Sequence, residues 1–249
     1  LYIIMYQTPP PVPDRDRYDN AYSGQGLSSV ASSVSQVMKR VYAKMTLGLL
    51  VTAVIAYLCA GSYDYMAFCA THMWFMWVLF GAQFVIVLAL SGGITRMSSG
   101  TASLVFYVFA TLMGLSLAPI FLAYTHASIA KTFFITAGMF GGMSVYGYFT
   151  TNDLSRMGSL LFMALIGLII ASVVNIFWAN STLDWIISFA GVLIFVGLTA
   201  WDTQTIKQWA QTALPGTYGH IATLGALSLY LDFINLFLYL LRFFGSSRD

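Results

Sequence analysis

Apolar residues along this chain collect in seven runs, which short polar connections separate. A helix of about 20 residues rises roughly 30 Å, the thickness of the hydrocarbon core of a bilayer. The pattern therefore predicts an all-α polytopic membrane protein with seven transmembrane helices. Their predicted limits are Met38–Ala60, Met73–Gly92, Ala102–Ala123, Thr132–Tyr148, Ser159–Trp178, Trp185–Ile206 and Ala222–Phe244.

A polar segment precedes these runs. Residues 1–36 contain a proline cluster at 9–13, alternating aspartates and arginines at 14–17, and then many serines and glycines. This composition predicts a disordered cytoplasmic tail, followed by one transmembrane domain over residues 37–249. The apolar start, Leu1–Met5, is too short for a signal-peptide core and no basic residue precedes it, so we expect no cleaved signal. The sequence leaves the native start of the chain open.

The last apolar run carries a polar stripe. At helical spacing, residues on or near one face are Gly225, Ser228, Asp232, Asn235 and Arg242. A charged carboxylate facing lipid costs about 3 kcal/mol or more, so the stripe is expected to face other protein. We therefore predict that the last helix is central, with Ser228 and Asn235 as pore-lining polar candidates.

Composition agrees with this class and isolates two acids. The chain is 59% hydrophobic and 8% charged, with a mean hydropathy of +0.78 and a net charge of +2. Such a chain cannot hide its apolar residues in a soluble fold, and the small charge gives no reason to expect a nucleic-acid partner. Glutamate is absent, and only Asp202 and Asp232 of the nine aspartates lie within apolar runs.

The basic residues indicate an orientation. One side of the predicted membrane would hold Arg15, Arg17, Lys39, Arg40, Lys44, Arg96, Arg156 and Lys207, and the other only Lys131, Arg242 and Arg248. Because cytoplasmic connections are richer in Lys and Arg, we expect a cytoplasmic N terminus and an external C terminus. Helices six and seven then place Asp202 and Asp232 at similar depth in the cytoplasmic half, with Arg96 near that level.

Two such carboxylates have a definite chemistry. Within hydrogen-bonding distance in a low-dielectric site they cannot both ionise cheaply, so Asp202 and Asp232 are expected to share a proton and to titrate near neutral pH. Deprotonation would leave two like charges, one of which Arg96 could take in a salt bridge. Carboxylates along a water path also attract calcium. The alternative is that they only hydrogen-bond neighbouring helices as an aid to packing.

Soluble chemistry finds little support, and we predict no enzyme. His72, His126 and His220 lie in or near connections, without metal-ligand spacing. Cys59 and Cys69 flank the first external connection, and whether they pair is open. An intramembrane aspartyl protease would also use two aspartates, but these lack its Gly-x-Gly-Asp flank. Asn175 and Asn235 are expected to be interhelical hydrogen-bond donors rather than ligands.

Three segments resemble the transmembrane Bax inhibitor motif family, in its bacterial branch. They read MGLSLAPI at Met113–Ile120, GLTAWDTQTIK at Gly197–Lys207 and ALSLYLDFINLFLYLLRFFG at Ala226–Gly245. The resemblance covers all seven predicted spans. It implies a last helix wrapped by six others, a bacterial inner-membrane location, and a pH-sensitive calcium leak.

By motif position, the resemblance assigns the paired aspartates to Asp202 and Asp232 and the latch to Arg96. One relative carries a further acid on its second helix, whereas Trp74–Leu90 has none, which puts calcium selectivity in doubt. Some family members are linked to suppression of cell death, and some bacterial ones to a membrane protease, which is therefore a candidate partner. The alternatives are a proton-coupled transporter of small solutes, or a non-transporting regulator of membrane-protein turnover or cell survival.

Overall fold

The computed structural model describes residues 27–246, and these are helical, with no strand among them. The helices are α1 (Leu27–Ala60), α2 (Tyr63–Thr71), α3 (Met73–Gly93), α4 (Ser99–Leu117), α5 (Ile120–Ala123), α6 (His126–Phe149), α7 (Ser155–Trp178), α8 (Ser181–Thr212) and α9 (Tyr218–Phe244). Short 3-10 turns at Ile94–Arg96 and Pro215–Thr217 precede α4 and α9. The all-α prediction is confirmed.

The count of seven spans is close but not met. Six helical stretches of the described chain are long and apolar enough to cross a membrane: Ala31–Ala60, Met73–Arg96, Ser99–Ala123, Ser155–Trp178, Ser181–Thr212 and Tyr218–Phe244. Helix α6 covers the fourth predicted span and has 24 residues, but glycine, threonine and tyrosine dilute its apolar content. It therefore remains long enough to span without being apolar enough to belong to that set.

Three boundaries differ from the predicted ones. Helix α1 begins at Leu27, ten residues before the predicted domain start, and residues 1–26 of the predicted tail lie outside the described residues. A short helix, α2, occupies the first connection, where Ser62 caps it by accepting from the backbone of Tyr65. The third predicted span is divided between α4 and α5 at Pro119, whose ring has no N–H to continue the helical hydrogen bonding.

Burial separates α9 from the other spans. In its most apolar stretch 83% of residues are buried, against between 17% and 44% in the other five spans. Elsewhere large apolar side chains face outward, as with Trp77, Phe134 and Ile176, which are each about three-quarters exposed. Exposed apolar surface of this kind is what lipid tails cover. The prediction that the last helix is enclosed by protein is confirmed.

Residues 27–118 and Thr205–Leu227 form one compact unit. Within it α1 and α4 meet closely, because Thr52 donates to the carbonyl of Ala110 at 2.8 Å and Gly114 lies against Ile55. Gln83 of α3 donates to the Leu112 carbonyl at 3.0 Å and to Ser116 at 2.7 Å. Hydroxyl and amide side chains thus form hydrogen bonds between apolar helices.

Pro119–Gln204 and residues 228–246 form the second unit, which contains both intramembrane aspartates. Its helices approach closely at small residues. Gly147 of α6 lies against the backbone of Ala200, Gly191 against the ring of Tyr239, and Gly197 against Leu161. Each contact occupies the place that a Cβ atom would need, so the close packing at these three positions depends on glycine.

Gly147→Ala is expected to destabilise the protein by about 1–3 kcal/mol, because its methyl group would overlap the Ala200 backbone, which cannot move without shifting α8. Gly141→Ala, on the same helix with open space at its Cβ position, is the matched control and should be neutral or slightly stabilising through helix propensity. Thermal unfolding in detergent measures both. Equal melting temperatures for the two variants would contradict the close α6–α8 packing.

Candidate functional site

Two carboxylates are fully buried within the second unit. Asp202 lies on α8 and Asp232 on α9, and neither side chain exposes any surface to solvent or lipid. Intramembrane acids of this kind are costly unless they are paired, hydrogen-bonded or neutral. The surroundings of each one therefore decide its state.

Asp202 has a direct partner. Its Oδ2 atom accepts a hydrogen bond from the hydroxyl of Ser228, which is itself 2% exposed. A hydroxyl donor stabilises a buried carboxylate oxygen that would otherwise lose its water. The contact also joins α8 to α9, so the first aspartate has both an electrostatic and a packing role.

Asp232 has no such partner. Neither of its carboxylate oxygens hydrogen-bonds any residue of the described chain, although both are buried. An ionised carboxylate in this position would lose its hydration and gain no donor in exchange, which costs several kcal/mol. This conformation therefore fits an Asp232 side chain that carries its proton.

The helix register explains the difference between the two acids. Helices α8 and α9 run antiparallel, and the pairs Asp202–Ser228 and Gly191–Tyr239 fix one common register along them. The same register sets Leu198, a fully buried apolar residue, level with Asp232. Along this register Asp202 and Asp232 are offset by one helical turn, about 6 Å of rise. In this structure the two carboxylates do not hydrogen-bond each other.

The chain neighbours of Asp202 and Asp232 carry bulky rings that pack on other helices. The ring of Trp201, next to Asp202, fills the space beside Gly158 of α7. Phe233, next to Asp232, packs with Phe133 and Phe140 of α6, each at a centroid separation of 5.5 Å in edge-on geometry. These rings pack α8 against α7 and α9 against α6 next to the two acids.

Gln204 is a positioning residue that the sequence did not single out. Its amide accepts from the backbone N–H of Leu154 at 2.9 Å and donates to the Asn152 carbonyl at 2.8 Å. Two residues after Asp202, it fastens α8 to the loop before α7. The available signal was a glutamine inside an apolar run, which needs two partners when buried.

The two pore-lining candidates have different surroundings. Ser228 binds Asp202, whereas Asn235 donates at 2.8 Å to the Leu231 carbonyl of its own helix instead of to a neighbouring one. Asn175 is an interhelical donor as expected, since it reaches Asp184 of α8. On α9, Ser228 and Asn235 lie one turn before and after Asp232 on the same face.

Arg96 lies in the first unit, in the 3-10 turn after α3, where its side chain is exposed. It makes no ion pair with a carboxylate of residues 27–246. For Lys44, another basic residue of that unit, the sequence predicted only a place on the cytoplasmic side. Lys44 is half-buried inside the first span, where its ammonium donates to the hydroxyls of Ser103 and Thr223. Sequence reasoning missed this role because the two hydroxyls are distant in the chain.

Metal-ligating side chains do not cluster in the described part of the chain: no group of three or more His, Cys, Asp or Glu residues converges there. Cys59 and Cys69 are both free thiols. Calcium binding would thus rest on Asp202 and Asp232, with hydroxyl or carbonyl oxygens, and both carboxylates would first have to become accessible.

Comparisons with known proteins agree with the motifs. The family model described as inhibitor of apoptosis-promoting Bax1 matches residues 34–249. The inner membrane protein YbhL of Escherichia coli is 48% identical over 214 residues, covering 85% of this chain and 92% of that protein. A Borreliella burgdorferi protein is 45% identical over 217 residues, covering 86% and 94%. A Rickettsia prowazekii protein is 45% identical over 213 residues, covering 85% and 90%.

Gln204→Leu is expected to destabilise the protein by about 1–3 kcal/mol, because Leu154 and Asn152 would each lose a partner for a backbone group. Gln208→Leu, at an exposed position one turn later on α8, is the control and should change stability little. Thermal unfolding in detergent measures both variants. A Gln204→Leu protein as stable as the control would show that the clamp does not hold α8.

Proposed function

The chain belongs to the Bax inhibitor-1-like family of membrane proteins, and from that premise we propose that it is a pH-sensitive calcium leak, with Asp202 and Asp232 as its sensor and gate. The observation that carries the proposal is the Asp232 carboxyl group, fully buried and without a hydrogen-bond partner among residues 27–246. We place the protein in a bacterial inner membrane, with a cytoplasmic N terminus and an external C terminus.

Protonation of Asp232 is the switch. A neutral Asp232 suits the present surroundings, where its carboxyl group is fully buried and has no donor among residues 27–246, so low pH favours this conformation, which is the closed one. Loss of the proton as pH rises leaves a charge with no donor and no water. The population then shifts toward a conformation in which the carboxylate meets water or a cation. The leak therefore opens as pH rises.

Oxygen atoms on the same face of α9 provide the cation route. Ser228, Asp232 and the Asn235 amide carbonyl follow one another at successive turns, and Asp202 contacts the first of them. Calcium prefers such hard oxygen ligands, and the carboxylates supply charge that the route otherwise lacks. A proton and a calcium ion then compete for the same two acids.

Arg96 is the proposed latch of this switch. A guanidinium can hold a carboxylate by paired charged hydrogen bonds, and it stays protonated at every pH of interest. In the present structure Arg96 is exposed, so the latch would engage only when an aspartate gives up its proton.

A proton-coupled transporter of small solutes is the second candidate. The same unpartnered Asp232 favours this function, because a buried carboxyl group that binds and releases a proton is the usual proton carrier in such transporters. Calcium flux from reconstituted protein without any co-substrate separates the two. If the protein passes no calcium at any pH, a role in membrane-protein turnover, with a membrane protease as partner, would be favoured instead.

Asp232→Asn is expected to reduce the pH response of calcium flux to less than about twofold, because the amide imitates the protonated acid and stays in the closed conformation. Asp202→Asn keeps an acceptor for Ser228 and should fold, but it removes the other titrating group. Dye-reported calcium entry into liposomes across a pH series measures both.

Asp153→Asn is the matched control for these variants. Asp153 is an exposed acid, and hydrogen bonds from the side chain and backbone N–H of Ser155 lower its pKa. It should therefore stay ionised across the series, and its replacement should leave the flux profile unchanged. The gating proposal fails if Asp202→Asn and Asp232→Asn both retain the full pH response.

Arg96→Ala is expected to change calcium flux on the high-pH side of the transition and not on the low-pH side, because the latch engages only an ionised aspartate. Arg156→Ala removes an equivalent charge at another exposed position of a helix end and is the control. The same liposome assay measures both. Identical flux for Arg96→Ala and Arg156→Ala at every pH would rule out the latch.

A further inference from the structure

A second polar site lies at the opposite end of the α9 stripe from Ser228. It is a cavity of about 450 Å³ between the end of α7, the start of α8 and the end of α9. Polar residues make up most of its lining: Ser172, Asn175, Asn180, Ser181, Asp184 and Arg242. Arg242 follows Asp232 by ten residues, about 15 Å along the helix, so the cavity is separate from the buried aspartates.

An ion pair forms the floor of this cavity. The Arg242 guanidinium contacts both oxygens of Asp184, with an Nε–Oδ2 distance of 2.8 Å. Asn175, which is 7% exposed, donates to Asp184 Oδ1 at 3.2 Å. Asn175 in turn accepts from the backbone N–H of Asn180 at 3.1 Å. The charged groups are therefore held in place before any ligand arrives.

The turn between α7 and α8 shapes the opening. Ala179 adopts a left-handed conformation with φ 48°, which is the one positive φ at a residue other than glycine in residues 27–246. Such a conformation costs roughly 1–2 kcal/mol for alanine. It reverses the chain so that Asn180 caps α8, accepting from the backbone of Leu183 at 3.0 Å, and Ser181 begins the helix at the cavity.

The cavity offers hydrogen-bond donors from Arg242 and hydrogen-bond acceptors from Asp184. A guanidinium has five N–H groups, and the pair with Asp184 uses only some of them, so Arg242, which lines the cavity, has further donors for a ligand. The carboxylate of Asp184 likewise has more lone pairs than partners. The site is thus neutral as a whole but dipolar, and a ligand with one negative and one positive group matches it better than a simple ion.

Its surroundings indicate a lipid. Trp178 and Phe177 at the end of α7 are 74% and 83% exposed, and Trp185 on the first turn of α8 is 56% exposed. Exposed tryptophan at the ends of membrane-spanning helices marks the headgroup level of a bilayer. Ile176, also highly exposed, lines the cavity itself, so apolar chains could continue from it along α7.

We propose that this cavity binds the headgroup of a zwitterionic phospholipid with a primary ammonium group, that is, of a phosphatidylethanolamine. The phosphate faces Arg242 and Ser181 at the start of α8, where the positive end of the helix dipole favours an anion. The ammonium donates to Asp184. A choline headgroup carries the same charges but has no N–H to donate, so it fits the phosphate side only.

Native mass spectrometry of the full chain tests the site with equimolar phosphatidylethanolamine, phosphatidylcholine and phosphatidylglycerol. The unchanged protein should retain phosphatidylethanolamine about tenfold over phosphatidylcholine, since a charged hydrogen bond depends on the ammonium N–H. Asp184→Asn should abolish that preference and raise phosphatidylglycerol retention, because Arg242 loses its counter-charge. Asp153→Asn removes an exposed acid of the same unit and should change neither.

A second variant guards against misfolding. Ser181→Trp keeps the Asp184–Arg242 pair but fills the opening, so it should melt like the unchanged protein while losing the bound lipid. Equal retention of the ethanolamine and choline lipids by the unchanged protein would overturn the proposal, as would a Ser181→Trp protein that keeps the preference. Displacement of the lipid by glycerophosphoethanolamine at equal concentration would assign the site to a soluble phosphodiester and overturn the lipid assignment.

Discussion

The cost of charging a carboxylate in a medium without water is the constraint on which this structure depends. Asp232 is enclosed on α9 with no hydrogen-bond donor among residues 27–246, so its charged form is strongly disfavoured in this conformation. A single proton thereby carries a free-energy difference large enough to choose between conformations. A hydrogen-bond donor would lower that difference, and Asp202 has one in the Ser228 hydroxyl.

The packing of the second unit preserves this condition. Glycine allows close packing at Gly147, against the Ala200 backbone, and at Gly191, against the Tyr239 ring. Two aromatic rings of α6, Phe133 and Phe140, pack edge-on against Phe233, the residue after Asp232. Densely packed interiors change between discrete packing arrangements instead of deforming gradually. The strain caused by a charge at Asp232 would therefore shift whole helices.

Two acids of the same helix pair have opposite surroundings. Asp184 is half-exposed and partnered by Arg242 and Asn175, so it joins the start of α8 to the end of α9. With that anchor and the Asp202–Ser228 contact in place, the register sets Leu198 level with Asp232. One acid is therefore held by its partners, whereas the other has no hydrogen-bond partner among residues 27–246.

The sequence by itself determined the class of protein, the enclosed last helix, and the isolation of Asp202 and Asp232, because hydropathy and helical periodicity are local properties. It did not determine the break at Pro119 between α4 and α5, the clamp by Gln204, or the cavity around Arg242. Nor did it determine the one-turn offset of the two aspartates. Those features follow from which helices pack together and in what register, and that choice depends on contacts between residues far apart in the chain.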